Sequence, residues 1–372
     1  MRHSVFRVNP LICFGSHSTD VLASTEFTRA LVVTDPFMKE SGMLDQVLSR
    51  LKGTVRVFSE VRPDPDVSLV SKGVAVLLEF VPDLVVAFGG GSTIDAAKSI
   101  LHCAGMLAGN RKEIRFFAIP TTSGTGSEVT NFSVITMDDT KIALVDDALL
   151  PDVAILDASF TLSVPASITA DTGLDVLSHA LEAYVSIRAS NCSDAFAEKA
   201  ASLVFGHLPR AVRDGSDRNA RSQLHDASCI AGMAFTNAGL GITHSLAHAL
   251  GGAFHIPHGR ANAVLLPHAI AFNASSPEAA RRYAKLAEIF GLRPDSTVDG
   301  VNKLITAVRM LLKTVGILPA ISEQGVERTV FEKRLPDMCR AALADGCTDT
   351  NPVQPTTTDL EDIYRRAYGA QE

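Results

Sequence analysis

Long apolar runs are missing. Stretches such as LVVAF at 84–88 and AVLLP at 263–267 fall far short of the roughly 20 residues that cross a bilayer, so no membrane span is expected. The opening residues MRHSVFRVNPLICFG carry two early positive charges but no sustained apolar stretch before a small-residue cleavage site. A secretory signal is therefore not expected, and a cytoplasmic location is. No basic tract stands out either, and with a formal net charge of -7 and a pI near 5.9 the surface would repel a phosphate backbone. That excludes nucleic acid as an expected partner. The six cysteines, Cys13, Cys103, Cys192, Cys229, Cys339 and Cys347, include no C-x-x-C pair. Such scatter argues against a disulfide framework and a thiolate zinc knuckle, and predicts reduced, mostly buried thiols. No repeat of fixed period is visible.

What is present suffices for two hydrophobic cores. The chain has 372 residues, 46% hydrophobic and 20% charged, and exceeds the roughly 250–300 residues at which one core stops growing. In the first half, β-branched runs (ALVVTD at 30–35, TVRVFSE at 54–60, DLVVAFGGG at 83–91, RFFAIPTT at 115–122) alternate with helical patterns at 41–52 and 68–81. This alternation predicts an α/β domain with a largely parallel sheet. The segment 151–165 is expected to be extended and to close that domain at Pro165. Beyond it, Ala- and Leu-rich stretches at 168–186 and 193–212, a polar connector at 214–222, and the amphipathic segments PEAARRYAKLAEIFG, NKLITAVRMLLKTVG and TTTDLEDIYRRAY predict an all-α domain. The expected boundaries are thus 1–165 and 166–372, and a cleft between such domains is a natural place for a ligand.

Two loops are suited to phosphate. In DLVVAFGGGSTIDAAKSI an apolar strand runs into Gly89, Gly90 and Gly91 and then a helix starting near Ser92. Glycines let a backbone approach a pyrophosphate, and the helix start offers free N–H groups. The pattern is not G-x-G-x-x-G, so a simple tight connection is the alternative. The loop AIPTTSGTGSEVT at 118–130 also follows a strand and is dense in hydroxyls and glycines. Asp35 ends the run ALVVTD, where a carboxylate could accept from an adenosine ribose and repel a 2′-phosphate, favouring NAD over NADP. It could equally do no more than start a turn with Pro36.

The helical half gathers imidazoles. Asp175 and His179 lie four apart on one helix face, His244 and His248 on another, and His258 comes just beyond a glycine break. Five of the eleven histidines fall between 244 and 268. Any single histidine is better read as a hydrogen-bonded core or surface group. As a set, a carboxylate with three imidazoles makes a mixed oxygen and nitrogen site acceptable to Fe(II) or Zn(II). His255 and His268 have no spacing that picks them out and are expected to be supporting or structural.

These residues together resemble the iron-containing (group III) alcohol dehydrogenase family. The resemblance runs from GGGSTIDAAKS and IPTTSGTGSE through GLDVLSHALEAY to HSLAHALGGAFHIPHGRANAVLLPH, and is strongest to the 1-propanol dehydrogenases of propanediol-degrading bacteria. It implies Asp175, His179, His244 and His258 as metal ligands, and His248 as the histidine near substrate and nicotinamide. It also implies Gly89, Gly90, Gly91 and Ser92 as the pyrophosphate loop, with contacts from Thr121, Thr122, Thr125 and Ser127. Lys141 would touch the nicotinamide-side ribose, and Asp35 goes with NAD. The expected activity is hydride transfer between NAD and a small primary alcohol or its aldehyde, such as reduction of propanal, with Fe(2+) bound and Zn(2+) the alternative. A homodimer or larger oligomer is implied, with enzymes of a bacterial microcompartment as candidate partners. Alternatives are a lactaldehyde, glycerol-type or sulfoacetaldehyde reductase of the same superfamily, or a nucleotide-binding microcompartment cargo in which catalysis is secondary.

Overall fold

The computed structural model describes residues 5–8, 10–108, 114–137 and 140–369, with only the backbone of Ala108, Thr140 and Lys141. The chain divides into two compact units: one spans Arg7–Ser163, and the other consists mainly of the chain from Val164 onward.

In the first unit the strands are β1 (Leu11–Phe14), β2 (Arg29–Thr34), β3 (Thr54–Phe58), β4 (Leu84–Gly89), β5 (Arg115–Pro120), β6 (Phe132–Met137), β7 (Thr140–Val145) and β8 (Val153–Leu156). Six of them form one parallel sheet in the order β1-β8-β5-β4-β2-β3. The strand alternation explains the runs: Leu31, Val33, Val85, Ala87, Phe116 and Ala118 pack on one face. Ala30, Val32, Leu84, Val86, Phe117 and Ile119 pack on the other. Both faces are buried, so the strands read as continuous apolar segments rather than as alternating ones. Helices α1 (Pro36–Glu40), α2 (Met43–Leu48), α3 (Val67–Phe80) and α4 (Gly91–Ala108) follow strands β2, β3 and β4.

The single helix expected at 41–52 is instead the short α2, because Gly42 takes a left-handed conformation (φ 75°) that separates it from α1. The extended segment expected at 151–165 narrows to β8 followed by a 3-10 turn at Ala158–Thr161. Strands β6 and β7 form an antiparallel hairpin that the sequence reading did not anticipate.

The second unit holds α5 (Ala166–Val185), α6 (Asn191–Arg213), α7 (Arg218–Ala238), α8 (Ile242–Phe254), α9 (His258–Asn273), α10 (Pro277–Ile289), α11 (Thr297–Thr314), α12 (Arg328–Ala344) and α13 (Thr357–Tyr368). No strand occurs in it among the described residues. Helix α5 is buried around almost its whole circumference from Thr169 to Val185, which makes it the central element. The polar connector expected at 214–222 is shorter: Asp217 accepts a hydrogen bond from the Ala220 amide and starts α7 at Arg218. Gly251 and Gly252 do not break α8. The break comes at His255, which takes a left-handed conformation (φ 56°), with Pro257 opening α9. No helix among the described residues is long and apolar enough to cross a membrane. All six cysteines are free; Cys229 and Cys339 are buried, while Cys192 is exposed, against the expectation of general burial.

Candidate functional site

The sheet topology creates a switch point. From β2 the chain moves outward to β3 and then returns to the other side of β2 as β4, so the connections after β2 and β4 diverge. A crevice at the carboxyl ends of such strands is where open α/β sheets bind ligands. Asp35 follows β2, and Gly89, Gly90 and Gly91 run from the end of β4 into the start of α4, placing both sequence candidates at this point.

Asp35 does start a turn with Pro36. Its Oδ1 accepts from the Met38 amide at 3.0 Å, capping α1 with Pro36 in the first turn, and its Oδ2 lies 3.5 Å from the Thr93 hydroxyl beside the glycine turn. The turn is tight for a reason: a Cβ on Gly89 would stand 2.7 Å from Thr93 Cβ, and one on Gly91 2.6 Å from Thr125 Cγ2. The second loop is therefore packed against the first, with Thr122 3.5 Å from a Cβ placed on Gly90 and the Thr121 amide donating to Gly89 O at 3.0 Å. Helix α4 begins at Gly91, with Ser92 in its first turn, where the leading N–H groups lack helical partners.

Ser127 behaves differently from its expected role. It is buried, and its hydroxyl donates to Asp95 Oδ1 at 2.6 Å, so that side chain secures the loop rather than facing a ligand. Behind it, the fully buried Lys98 ammonium donates to the carbonyls of Thr130 (2.8 Å) and Phe132 (2.7 Å). Burial lowers that ammonium to about 8, against the raising effect of Asp95 and Glu128. The side chain of Lys141 lies outside the described residues.

In the helical unit, the imidazole Nε2 atoms of His258, His244 and His179 lie 3.5, 3.6 and 3.8 Å from the single oxygen Asp175 Oδ1. Asp175 and His179 come from one face of α5, His244 from the first turn of α8, and His258 is the first residue of α9. The donor atoms of Asp175, His244 and His258 lie within 4.8 Å of one another. His179 closes the group by stacking on His244, with 4.7 Å between ring centroids.

Three contacts hold these elements. Arg260 grips Asp171 with two bonds, of 2.9 and 3.1 Å, tying the start of α9 to α5 one turn before Asp175. Gly259 permits the approach, since a Cβ there would stand 2.6 Å from the Asp171 carbonyl carbon. Asn351 accepts from the Ile242 amide at 3.2 Å and so fixes the start of α8.

The donor set fits a divalent cation. His244 Nε2 is buried without a hydrogen-bond partner, which costs free energy unless something electron-poor faces it. On its other side His244 Nδ1 stands 2.5 Å from Glu182 Oε2, while Glu182 Oε1 accepts from the Thr243 amide at 2.6 Å. That carboxylate engages Nδ1 and leaves Nε2 turned toward Asp175, the arrangement typical behind metal-bound imidazoles. The Asn262 amide nitrogen donates to Asp175 Oδ1 at 2.7 Å and lies 3.1 Å from His258 Nε2.

Electrostatics follow from this crowding. Burial outweighs Asp175 and lowers His179 to about 4 and His258 to about 3, keeping both rings neutral. Burial works against the Asp175 charge, but the three histidines outweigh it and hold the carboxyl well below the usual range. His244 moves oppositely: burial disfavours its charge, and Glu182 and Asp175 overcome that to raise it to about 9.

His248, one turn after His244, lies beside this group rather than in it. Its ring stacks on His258 at 5.1 Å, and its Nδ1 is 2.7 Å from Asp345 Oδ2. Sequence reasoning missed Glu182, Asn262 and Asp345. Glu182 had a signal: with Asp175 and His179 it completes an i, i+4, i+7 polar stripe along α5. Of the histidines left aside, His255 is exposed at the end of α8. His268 lines a separate cavity of about 450 Å³ with Arg309 and Arg366.

Comparison with known proteins agrees with this geometry. Residues 10–158 match the model for iron-containing alcohol dehydrogenase, and residues 169–368 the model for the C-terminal part of the Fe-containing alcohol dehydrogenase family. The chain is 44% identical over 365 residues to the 1-propanol dehydrogenase PduQ of Citrobacter freundii, covering 96% of this chain and 98% of that one. The solved iron-containing alcohol dehydrogenase of Thermococcus thioreducens superposes with a TM-score of 0.92 at 33% identity, covering 99% of this chain and 100% of that one. The sulfoacetaldehyde reductase of Bifidobacterium kashiwanohense, solved in complex with NAD+, superposes with a TM-score of 0.89 at 29% identity, each chain covered in full. With a parallel switch-point sheet, a helical unit converging an acid and three imidazoles, and matches along nearly its whole length, the chain belongs to the iron-containing alcohol dehydrogenase family of oxidoreductases.

Proposed function

We propose that this chain is an NAD-dependent, metal-dependent alcohol dehydrogenase that interconverts a small primary alcohol and its aldehyde, working chiefly as a reductase of short aldehydes such as propanal. The observation that carries the reading is the convergence of three imidazole nitrogens on Asp175 Oδ1 with Glu182 behind one of them. Asp175, His179, His244 and His258 would hold the cation, Fe(II) or alternatively Zn(II), because the set is hard-to-borderline and contains no sulfur. When bound, the cation supplies Lewis-acid polarisation of the substrate oxygen, and nicotinamide supplies or takes the hydride. The overall conversion, RCHO + NADH + H+ to RCH2OH + NAD+, needs one proton delivered to oxygen. His248 is suited to that delivery: it is 37% exposed, and Asp345 engages Nδ1, leaving Nε2 for exchange with substrate or water.

On the nucleotide side, Gly89, Gly90, Gly91 and Ser92 would receive the pyrophosphate, with Thr121, Thr122 and Thr125 along the neighbouring loop. Asp35 would accept from the adenosine ribose and disfavour a 2′-phosphate. The relative named a 1-propanol dehydrogenase supports the substrate class, and the neighbour solved with NAD+ supports the cofactor.

The test is an NADH-oxidation assay of metal-replete protein with propanal, acetaldehyde, lactaldehyde and sulfoacetaldehyde. The expected result is highest kcat/KM with propanal, turnover lowered at least 100-fold in His248→Ala with metal retained, and metal lost in Asp175→Ala/His179→Ala. Silence on every aldehyde with metal bound would overturn the reading.

A further inference from the structure

Three side chains beside the first cluster form a second group of donors with different chemistry. His248, Asp345 and Cys347 offer a nitrogen, an oxygen and a sulfur that all lie within 4.8 Å of one another. Asp345 is the hub. Its Oδ2 stands 2.7 Å from His248 Nδ1, and its Oδ1 accepts from the Cys347 amide at 2.8 Å. The backbone bond fixes the acid and the thiol on one turn, Gly346–Thr350, while the imidazole arrives from α8, about a hundred residues earlier in the chain. The group opens to solvent through His248, 37% exposed, and Asp345, 22% exposed, while Cys347 is half-buried, where burial and the Asp345 carboxylate push its thiol up.

We propose that His248, Asp345 and Cys347 form a second cation site, selective for zinc-class ions, whose occupation inhibits the enzyme by withdrawing His248 from proton transfer. The inhibitory part rests on the function proposed above; the binding part does not. A borderline-soft ion such as Zn(II) takes thiolate, imidazole and carboxylate together and completes its shell with water. Bonds of about 2.0–2.3 Å put zinc ligands roughly 3.3–3.8 Å apart, so side-chain rotations of about 1 Å gather the three donors. Binding releases the Cys347 thiol proton to solvent, while the His248 Nδ1 proton passes to Nε2, so the ring stays neutral and offers Nδ1 to the ion. The first cluster has no sulfur donor, so the two sites differ in what they prefer and in how they report.

Cobalt(II) separates them, because thiolate ligation gives a near-ultraviolet charge-transfer absorption that oxygen and nitrogen ligands do not. Iron-loaded enzyme titrated with Co(II) is expected to develop this band at about one equivalent per chain, with iron content unchanged by elemental analysis. Cys347→Ser should abolish the band while keeping iron and activity, and exposed Cys192→Ser should leave it intact. Titrated with Zn(II), the parent should lose activity reversibly, and Cys347→Ser should require at least 10-fold more zinc. A missing cobalt band, an unchanged band in Cys347→Ser, or zinc gained only as iron is lost would overturn the proposal. Should Cys347→Ser fold poorly, Asp345→Asn must weaken the band instead. If the enzymatic reading were wrong, the cobalt band would still appear without any activity to inhibit, so the two failures are distinguishable.

Discussion

Replacing Glu182 by glutamine removes one negative charge while keeping the shape and an acceptor for the buried Thr243 amide. An alanine there would strand two buried donors, Thr243 N–H and His244 Nδ1–H, and confuse the result with lost packing. The size of the electrostatic effect follows from His244, which the carboxylates lift from 6.5 to about 9 in spite of burial. At about 1.4 kcal/mol per unit this is about 3 kcal/mol of net preference for positive charge at that ring. Glu182 supplies the larger part of the attraction and Asp175 the rest. A cation opposite Nε2 draws on the same field, so Glu182→Gln should weaken metal binding roughly 10- to 100-fold, about 1.5–3 kcal/mol. The assay is anaerobic titration of metal-stripped protein with Fe(II) against a competing chelator, with His244→Ala as the reference for a lost ligand. Unchanged affinity in Glu182→Gln alongside lost binding in His244→Ala would refute the argument, since it would mean the ring is oriented by packing alone.

Asp35→Ser should raise the NADPH to NADH ratio of kcat/KM at least 10-fold, equivalent to about 1.4 kcal/mol, without unfolding α1, because serine retains the cap to Met38. Gly259→Ala should destabilise the helical unit by about 1–3 kcal/mol and lower metal content together, since its Cβ meets the Asp171 backbone, which cannot swing away; thermal midpoint and elemental analysis check both. Burial raises Glu128 to about 7 from 4.5, so the folded state loses stability as pH rises through that interval. Glu128→Gln should therefore raise the thermal midpoint more at pH 8 than at pH 5, and an equal shift at both would show that Glu128 is not ionised by burial-sensitive titration.

Much of the fold of the first unit was legible because its signals are local. The inner strands β2, β4 and β5 are buried on both faces, so LVVT, LVVAFG and FFAIP are recognisable without knowing their neighbours. The glycine turn joins a strand to a helix within a few residues, and Asp35 sits at a strand end. The hairpin β6–β7 escaped because its strands are only partly buried. The helix expected at 41–52 was overcalled because residues at helical spacing say nothing of the backbone handedness Gly42 adopts. Ser127 was legible as a loop residue but not as an inward one: its partner Asp95 lies 32 positions earlier and is brought there by the return of β5 beside β4.

The candidate metal ligands and their supports differ in the same physical respect. Asp175 and His179 share a helix face, His244 and His248 share another, and such spacings are properties of the helix itself. What turns the imidazoles into a directed set depends on contacts across the fold: Glu182 to His244 spans 62 positions, Asn262 to Asp175 87, and Asp345 to His248 97. Spacing can nominate a ligand, whereas its tautomer is set by whichever acceptor the tertiary structure brings to the opposite nitrogen. Glu182 lies between the two cases, since it falls on the face of α5 that already carries Asp175 and His179. A buried acid on such a face, with no cationic residue at helical spacing to pair with it, has to find its partner on another helix. Here that partner is His244, and the pairing is what leaves Nε2 open toward Asp175.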